Sequence, residues 1–222
     1  MQRDRLEPTL LLALTLVCLV LSSIHPRDRL TWWLEVSWVL AGIPILIVTH
    51  RRFPLTLLLY RLLFLHALIL IVGGHYTYER VPLGDWVRDI FHLHRNHYDR
   101  LGHFAQGFVP AILAREILLR RSPLVPGKWL FFLVVSVCLA FSAFFEMIEW
   151  WAALFGGEAT NAFLGSQGDV WDAQWDMFWA LIGAITAQTV LSRRHDRELQ
   201  QLGVLPEERR QSFGRCDTTL PY

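Results

Sequence analysis

A chain of 222 residues with 53% hydrophobic content and only 18% charge departs from a soluble domain, in which about a quarter of residues are charged. Mean hydropathy is +0.32 and net charge is +1, so no broad basic field exists and nucleic acid is excluded as an expected partner. Cys18 and Cys138 lie in apolar runs and Cys216 in a polar tail, which leaves neither a disulfide framework nor a CxxC metal site.

A transmembrane helix needs about 20 mostly apolar residues, or as few as about 17. Six stretches meet that length, at about residues 8–24, 31–49, 54–73, 101–119, 129–154 and 171–191. The predicted fold is therefore all-α, a polytopic bundle of six transmembrane helices forming one membrane domain over residues 1–199. Arg3 and Arg5 precede the first run, but it is longer than a signal-peptide core and lacks a small-residue cleavage site, so it is expected to remain as a span. Pro8, Pro54 and Pro126-Gly127 stand at segment starts, where proline is tolerated. Trp32, Trp33, Trp129, Trp150, Trp151, Trp171 and Trp175 gather near segment ends, as interfacial anchors do. Residues 200–222 read as a flexible polar tail.

Short-loop Lys and Arg set orientation. With the N-terminus inside, the inner segments hold Arg3, Arg5, Arg51, Arg52, Arg120, Arg121, Lys128, Arg193, Arg194 and Arg197. The outer segments hold Arg27, Arg29, Arg80, Arg88 and Arg95. The bias predicts both termini in the cytoplasm, a long third loop outside, and a bacterial inner-membrane location. Arg115 and Glu116 then fall near the inner interface, as snorkelling ends.

The polar clusters converge on one end of this bundle. The third span ends at His75, and the long loop adds Asp85, Asp89, His92, His94, Arg95, Asn96, His97 and Tyr98, a spacing that matches no zinc signature. Asp99 and His103, four apart, share a helix face at the start of the fourth span. An imidazole there can ligate a metal while the carboxylate orients it, or both can ligate, and the plainer use of the pair is a polar cap or hydrogen bond. Glu146 and Glu149, three apart in FSAFFEMIEWW, lack an obvious countercharge. They need a cation between them or a shared proton; a hydrogen-bonded pair gluing helices is the structural alternative. Asp169, Asp172 and Asp176 line one stripe at the start of the sixth span. Asp169 suits an N-cap and Asp172 the helix dipole, whereas Asp176 lies too deep for either. Acids in a span cost about 2.5–3.5 kcal/mol each on insertion scales and mark functional sites by default.

The candidate cation ligands are Glu146, Glu149, Asp176, His103 and Asp169. His103, Asp99 and Asp172 are the candidates for catalysis. Arg95, Arg100, His75, Tyr98 and Gln174 are the candidates for substrate binding, the arginines either clamping a phosphate or neutralising the acids. Oxygen ligands with an imidazole suit Mg²⁺, Mn²⁺, Ca²⁺ or Zn²⁺ without choosing among them. Walker, G-x-S-x-G, H-E-x-x-H and G-x-G-x-x-G motifs do not occur in the chain.

The runs HYTYERVPLG, RNHYDRLGHFAQGFVPAILARE, FFEMIEWW and GSQGDVWDAQWDMFWALIGA resemble the YjdF-type family of bacterial inner-membrane proteins. That resemblance implies a multi-pass inner-membrane location and no particular chemistry. Asp99, Arg100, His103, Phe104, Glu146, Asp176 and Gly183 also resemble the motif residues of VanZ-like membrane proteins. Arg100 replaces that family's usual lysine, Ala180 its asparagine, and Glu149 stands near its glutamine. The VanZ-like resemblance implies, by analogy, an envelope lipid or precursor as partner. Three functions follow as expectations: a cation-binding protein acting at the outer membrane face on a cell-envelope lipid or a phosphate-bearing substrate, a proton- or cation-coupled transporter, or a non-catalytic envelope scaffold whose acids are structural.

Overall fold

The structure, a computed structural model, describes residues 3–156 and 161–206. Every regular element among them is helical: α1 (Arg3–Ser22), α2 (Arg29–Thr49), α3 (Leu57–Tyr76), a 3₁₀ turn (Tyr78–Arg80), α4 (Pro82–Phe91), α5 (Tyr98–Arg121), α6 (Lys128–Gly156), α7 (Asn161–Leu164) and α8 (Asp172–Gln201). A helix lies over each of the six apolar stretches, with ends displaced by a few residues and α8 running about ten residues further. Residues 207–222, most of the expected tail, lie outside the described residues.

Three helices, α2, α3 and α6, are long and apolar enough to cross a membrane by length and composition. A shorter apolar helical stretch covers Leu6–Ser22. Helices α5 and α8 have the length, at 24 and 30 residues, but carry polar groups that they bury on each other and on their neighbours. Asp99, His103, Gln106, Arg115 and Glu116 of α5 and Asp172, Asp176, Gln188 and His195 of α8 are all buried. A hydropathy average cannot see this, because it ignores which face a residue occupies.

Consecutive long helices alternate in direction, so one end of the bundle gathers the starts of α2, α5 and α8. Asp28 caps α2 there, accepting from Thr31 N at 2.6 Å; a side-chain oxygen at this position satisfies a free N–H of the first turn. Trp32 Nε1 donates to Ser22 Oγ at 3.0 Å, pinning α1 to α2.

The expected loop between the third and fourth spans contains a helix. Pro82 opens α4, where its fixed φ suits the first turn, and His92 closes it in the left-handed region at φ 52°. Leu83, Trp86, Ile90 and Phe91 of this helix are exposed, while Asp85 and Arg88 pair at 2.8 Å. The apolar repeat is only ten residues long, too short to register against a span-length ruler.

Helices α5 and α8 form the tightest seam. A Cβ on Gly107 would overlap the Ala180 carbonyl, and one on Gly183 would overlap the Phe104 carbonyl. Ala180, Ala184 and Ala187 continue the same face and are fully buried. Small residues let backbones approach closely, which is what drives helix association where lipid removes the hydrophobic term.

Arg115 and Glu116 are not snorkelling ends. They are 4% and 0% exposed and form a buried knot at the opposite end of the bundle. Glu116 accepts from Thr56 N at 3.2 Å and Thr56 Oγ1 at 2.8 Å, from Arg120 at 2.7 Å and from His195 Nε2 at 3.0 Å. Arg115 stands 3.0 Å from His195 Nδ1 and 2.8 Å from Asp196. A guanidinium only donates, so Nδ1 is the acceptor and the ring proton sits on Nε2, aimed at Glu116. Spacing alone could not bring α8 to this place, so two adjacent charges looked like a solvated helix end.

Candidate cation site

Asp99 and His103 face the interior one turn apart on α5, α6 brings Glu146 against them, and α8 brings Asp176. His103 Nε2 lies 3.6 Å from Asp99 Oδ1 and 4.0 Å from Asp176 Oδ2, and His103 Nδ1 lies 3.8 Å from Glu146 Oε1. One ligand atom from each of Asp99, His103 and Asp176 lies within 4.8 Å of the others, and all three residues are buried. These separations exceed a hydrogen bond. Those among His103 Nε2, Asp99 and Asp176 leave room for a central ion with ligands at about 2.0–2.6 Å. His103 Nδ1, Glu146 Oε1 and Asp176 Oδ1 are buried without a hydrogen-bond partner among the described residues. Buried polar atoms are normally satisfied, so Asp176 Oδ1 points to a guest on the Nε2 side of the ring, while His103 Nδ1 and Glu146 Oε1 face each other on its other side.

A cationic rim borders the cluster. Arg95 donates to Asp172 at 2.7 Å and to Asp169 at 3.4 Å, and sits 3.9 Å from Asp99. Arg100 donates to Asp169 at 3.3 Å and stacks over Trp175, 5.2 Å from the ring centroid. Both arginines therefore neutralise acids, and each also keeps a buried Nε with no partner among the described residues. The rim is held in register by Gln167, which accepts from Asn96 N at 3.0 Å and donates to Asn96 O at 2.9 Å.

The candidate ligands separate into two groups. His103 and Asp176 come together with Glu146 beside them, and Asp99, a candidate for catalysis from sequence, joins His103 and Asp176 as the third ligand-bearing side chain. Asp169 instead serves Arg95, Arg100 and the Trp171 N–H at 3.0 Å. Glu149 is half-buried and lines a cavity with Glu35, Asp99 and His103. Asp172 is held by Arg95.

The other candidates lie elsewhere. His75 Nδ1 sits 2.8 Å from the Ser22 carbonyl, tying α3 to α1. The Tyr98 hydroxyl donates to Ile69 O at 3.1 Å, and Gln174 is exposed.

The comparisons with known proteins bear on this arrangement. The family described as "Predicted membrane protein (DUF2238)" matches residues 7–197. The chain belongs to this family. It is also 52% identical, over 194 residues, to the inner membrane protein YjdF of Escherichia coli (strain K12), covering 87% of this chain and 92% of that protein. No solved structure matches the chain. The family match takes in Asp99, His103, Glu146 and Asp176, so the buried cluster belongs to the part of the chain its relatives share.

Two residues of the site carry no prediction from sequence. Glu35 of α2 is 4% exposed and accepts a hydrogen bond from Tyr78. Burial pushes the Tyr78 phenol well above its ordinary value, so it stays protonated and remains a donor. Its ring passes between α3 and α5, where a Cβ on Gly73 or Gly102 would strike it. Glu35 was legible in principle, since an acid inside TWWLEVSW carries the same intramembrane cost as Glu146. Tyr78 gave no signal, because its role depends on a turn folding back over the bundle.

Proposed function

We propose that the chain is a six-span inner-membrane protein, both termini cytoplasmic, that holds a divalent cation at Asp99, His103 and Asp176 beneath the outer face. Glu146 faces the other ring nitrogen of His103, Nδ1, at 3.8 Å, where it orients the imidazole rather than joining the ligand set. The protein acts there on a phosphate-bearing envelope lipid. One observation carries this reading: three ligand atoms meet within 4.8 Å in a buried site whose Asp176 keeps an unpartnered carboxylate oxygen. Several carboxylates this close repel one another, and a bound cation offsets that repulsion. Such a cation polarises a phosphoryl oxygen or activates water, while the free Nε donors of Arg95 and Arg100 receive anionic oxygens. The inner-membrane location is supported by the relative's name, and the envelope lipid by the VanZ-like motif residues.

The Arg95–Asp172 and Arg100–Asp169 pairs favour a second reading, in which the whole cluster is helix glue. Elemental analysis of purified protein separates the two. Wild type is expected to carry about one equivalent of Mn²⁺ after loading and dialysis, and Asp176→Asn to lose at least tenfold in affinity, since even partners outside the ligand set are worth about 10–100-fold. Equal or negligible metal in both proteins supports the glue reading.

A further inference from the structure

The acidic cluster continues into a cavity of about 480 Å³ bounded by α1, α2, α3, α5 and α6. Its head is lined by Glu35, Tyr78, Asp99, His103 and Glu149. Leu12, Leu46, Leu63, Phe64, Leu70 and Leu113 form the walls beyond. The far end is stopped by His50 and Tyr60, whose Nδ1 and hydroxyl oxygen are 2.7 Å apart. Glu35 and His50 are fifteen residues apart on α2 and its cap, so the cavity runs about 22 Å along the helix. That is most of the roughly 30 Å hydrocarbon thickness of a bilayer.

We infer that this cavity receives the long hydrocarbon chain of an amphiphile whose phosphate head lies on the cation held by Asp99, His103 and Asp176. The inference rests on the function proposed above and adds where the substrate's tail goes. The polarity gradient commits the occupant. Hydrogen-bonding groups gather at the head, where Glu35, Asp99 and Glu149 meet Tyr78, His103 and Gln106, and the walls are mostly aliphatic and aromatic, interrupted by Thr9, Thr15 and His66. Ions and water find few partners along such walls, which argues against a conduction path. A hydrocarbon chain asks for none and meets dispersion contacts along its length. Packed interiors hold few spaces larger than a water molecule, and pockets for small-molecule ligands fall at about 300–1,000 Å³. This space belongs to the second class.

Gly42 supplies the test. It lines the cavity, and a Cβ added there meets nothing within 4 Å, so Gly42→Phe places a ring in the chain's path without striking backbone. Leu63→Phe narrows the same space from α3. Full-length protein in detergent is loaded with Mn²⁺ and probed by native mass spectrometry with hexadecyl phosphate, butyl phosphate and hexadecanol. Thermal melts verify that each variant is folded. Wild type is expected to take one hexadecyl phosphate at least tenfold better than butyl phosphate. Gly42→Phe and Leu63→Phe lose that binding tenfold or more while keeping Mn²⁺. Retention of hexadecyl phosphate at wild-type level in both folded variants overturns the inference, as does equal binding of the butyl ester. Hexadecanol keeps the two proposals apart, since it needs no cation. Gly42-dependent hexadecanol binding with no Mn²⁺ uptake would support the chain site and remove the metal reading.

Discussion

Tyr78 and Glu35 illustrate how single side chains hold the acidic end together. The phenol is buried between α3 and α5 and donates to a carboxylate on α2, so one hydroxyl links three helices. Removing it leaves Glu35 with a buried acceptor and one donor fewer, which costs about 1–3 kcal/mol. Tyr78→Phe is therefore expected to lower the thermal midpoint while leaving Mn²⁺ stoichiometry intact, because the phenol is not among the ligands. An unchanged midpoint would show that Glu35 finds another donor. At this scale, much of the buried acidic and histidine cluster was legible from spacing. Asp99-x-x-x-His103, Glu146 and Asp176 each declared themselves as polar residues on apolar helices. The division of labour among the acids was not legible. Asp169 and Asp176 look alike in a stripe of three, and only the arrival of Arg95 and Arg100 from another part of the chain assigns Asp169 to charge neutralisation.

Among the elements, the α5–α8 seam positions the site, since Asp99 and His103 ride on one helix and Asp176 on the other. The glycines at the seam set how closely those helices approach. Gly183→Ala puts a methyl into the Phe104 carbonyl and is expected to destabilise by about 1–3 kcal/mol, as overpacking does. Gly42→Ala, where a Cβ meets nothing within 4 Å, is the matched control and should be close to neutral. Chemical unfolding of both variants side by side tests this, and equal losses would count against the seam as the determinant. The longest element that sequence reading missed is α4. Its amphipathic repeat was hidden in a stretch treated as loop because charge and histidine content dominated its composition.

For the whole molecule, alternating helix direction collects the acids at one end and the Glu116–His195 knot at the other. The proposed orientation places the acidic end outside. In a variant with Cys18, Cys138 and Cys216 replaced, a single cysteine at the exposed His94 position should react with a membrane-impermeant maleimide on intact cells. One at Arg51 should react only after lysis. The reverse pattern would invert the topology and move the site to the cytoplasmic face, with its internal geometry unchanged.

Local properties of the chain were readable in its order of residues: helical class, the approximate reach of the long helices, and which residues are polar where apolar ones are expected. Each depends on hydropathy and on the 3.6-residue period, which neighbouring positions carry by themselves. Contacts between distant segments were decided by tertiary structure alone. Packing of α8 on α5 turned Arg115 and Glu116 from helix-end charges into a buried network. The turn at Thr77 brought Tyr78 to Glu35, and the spacing of α2 from α5 and α6 left a long apolar cavity beneath the carboxylates. Those outcomes depend on which helix faces meet, and a face acquires its partner only when the bundle closes.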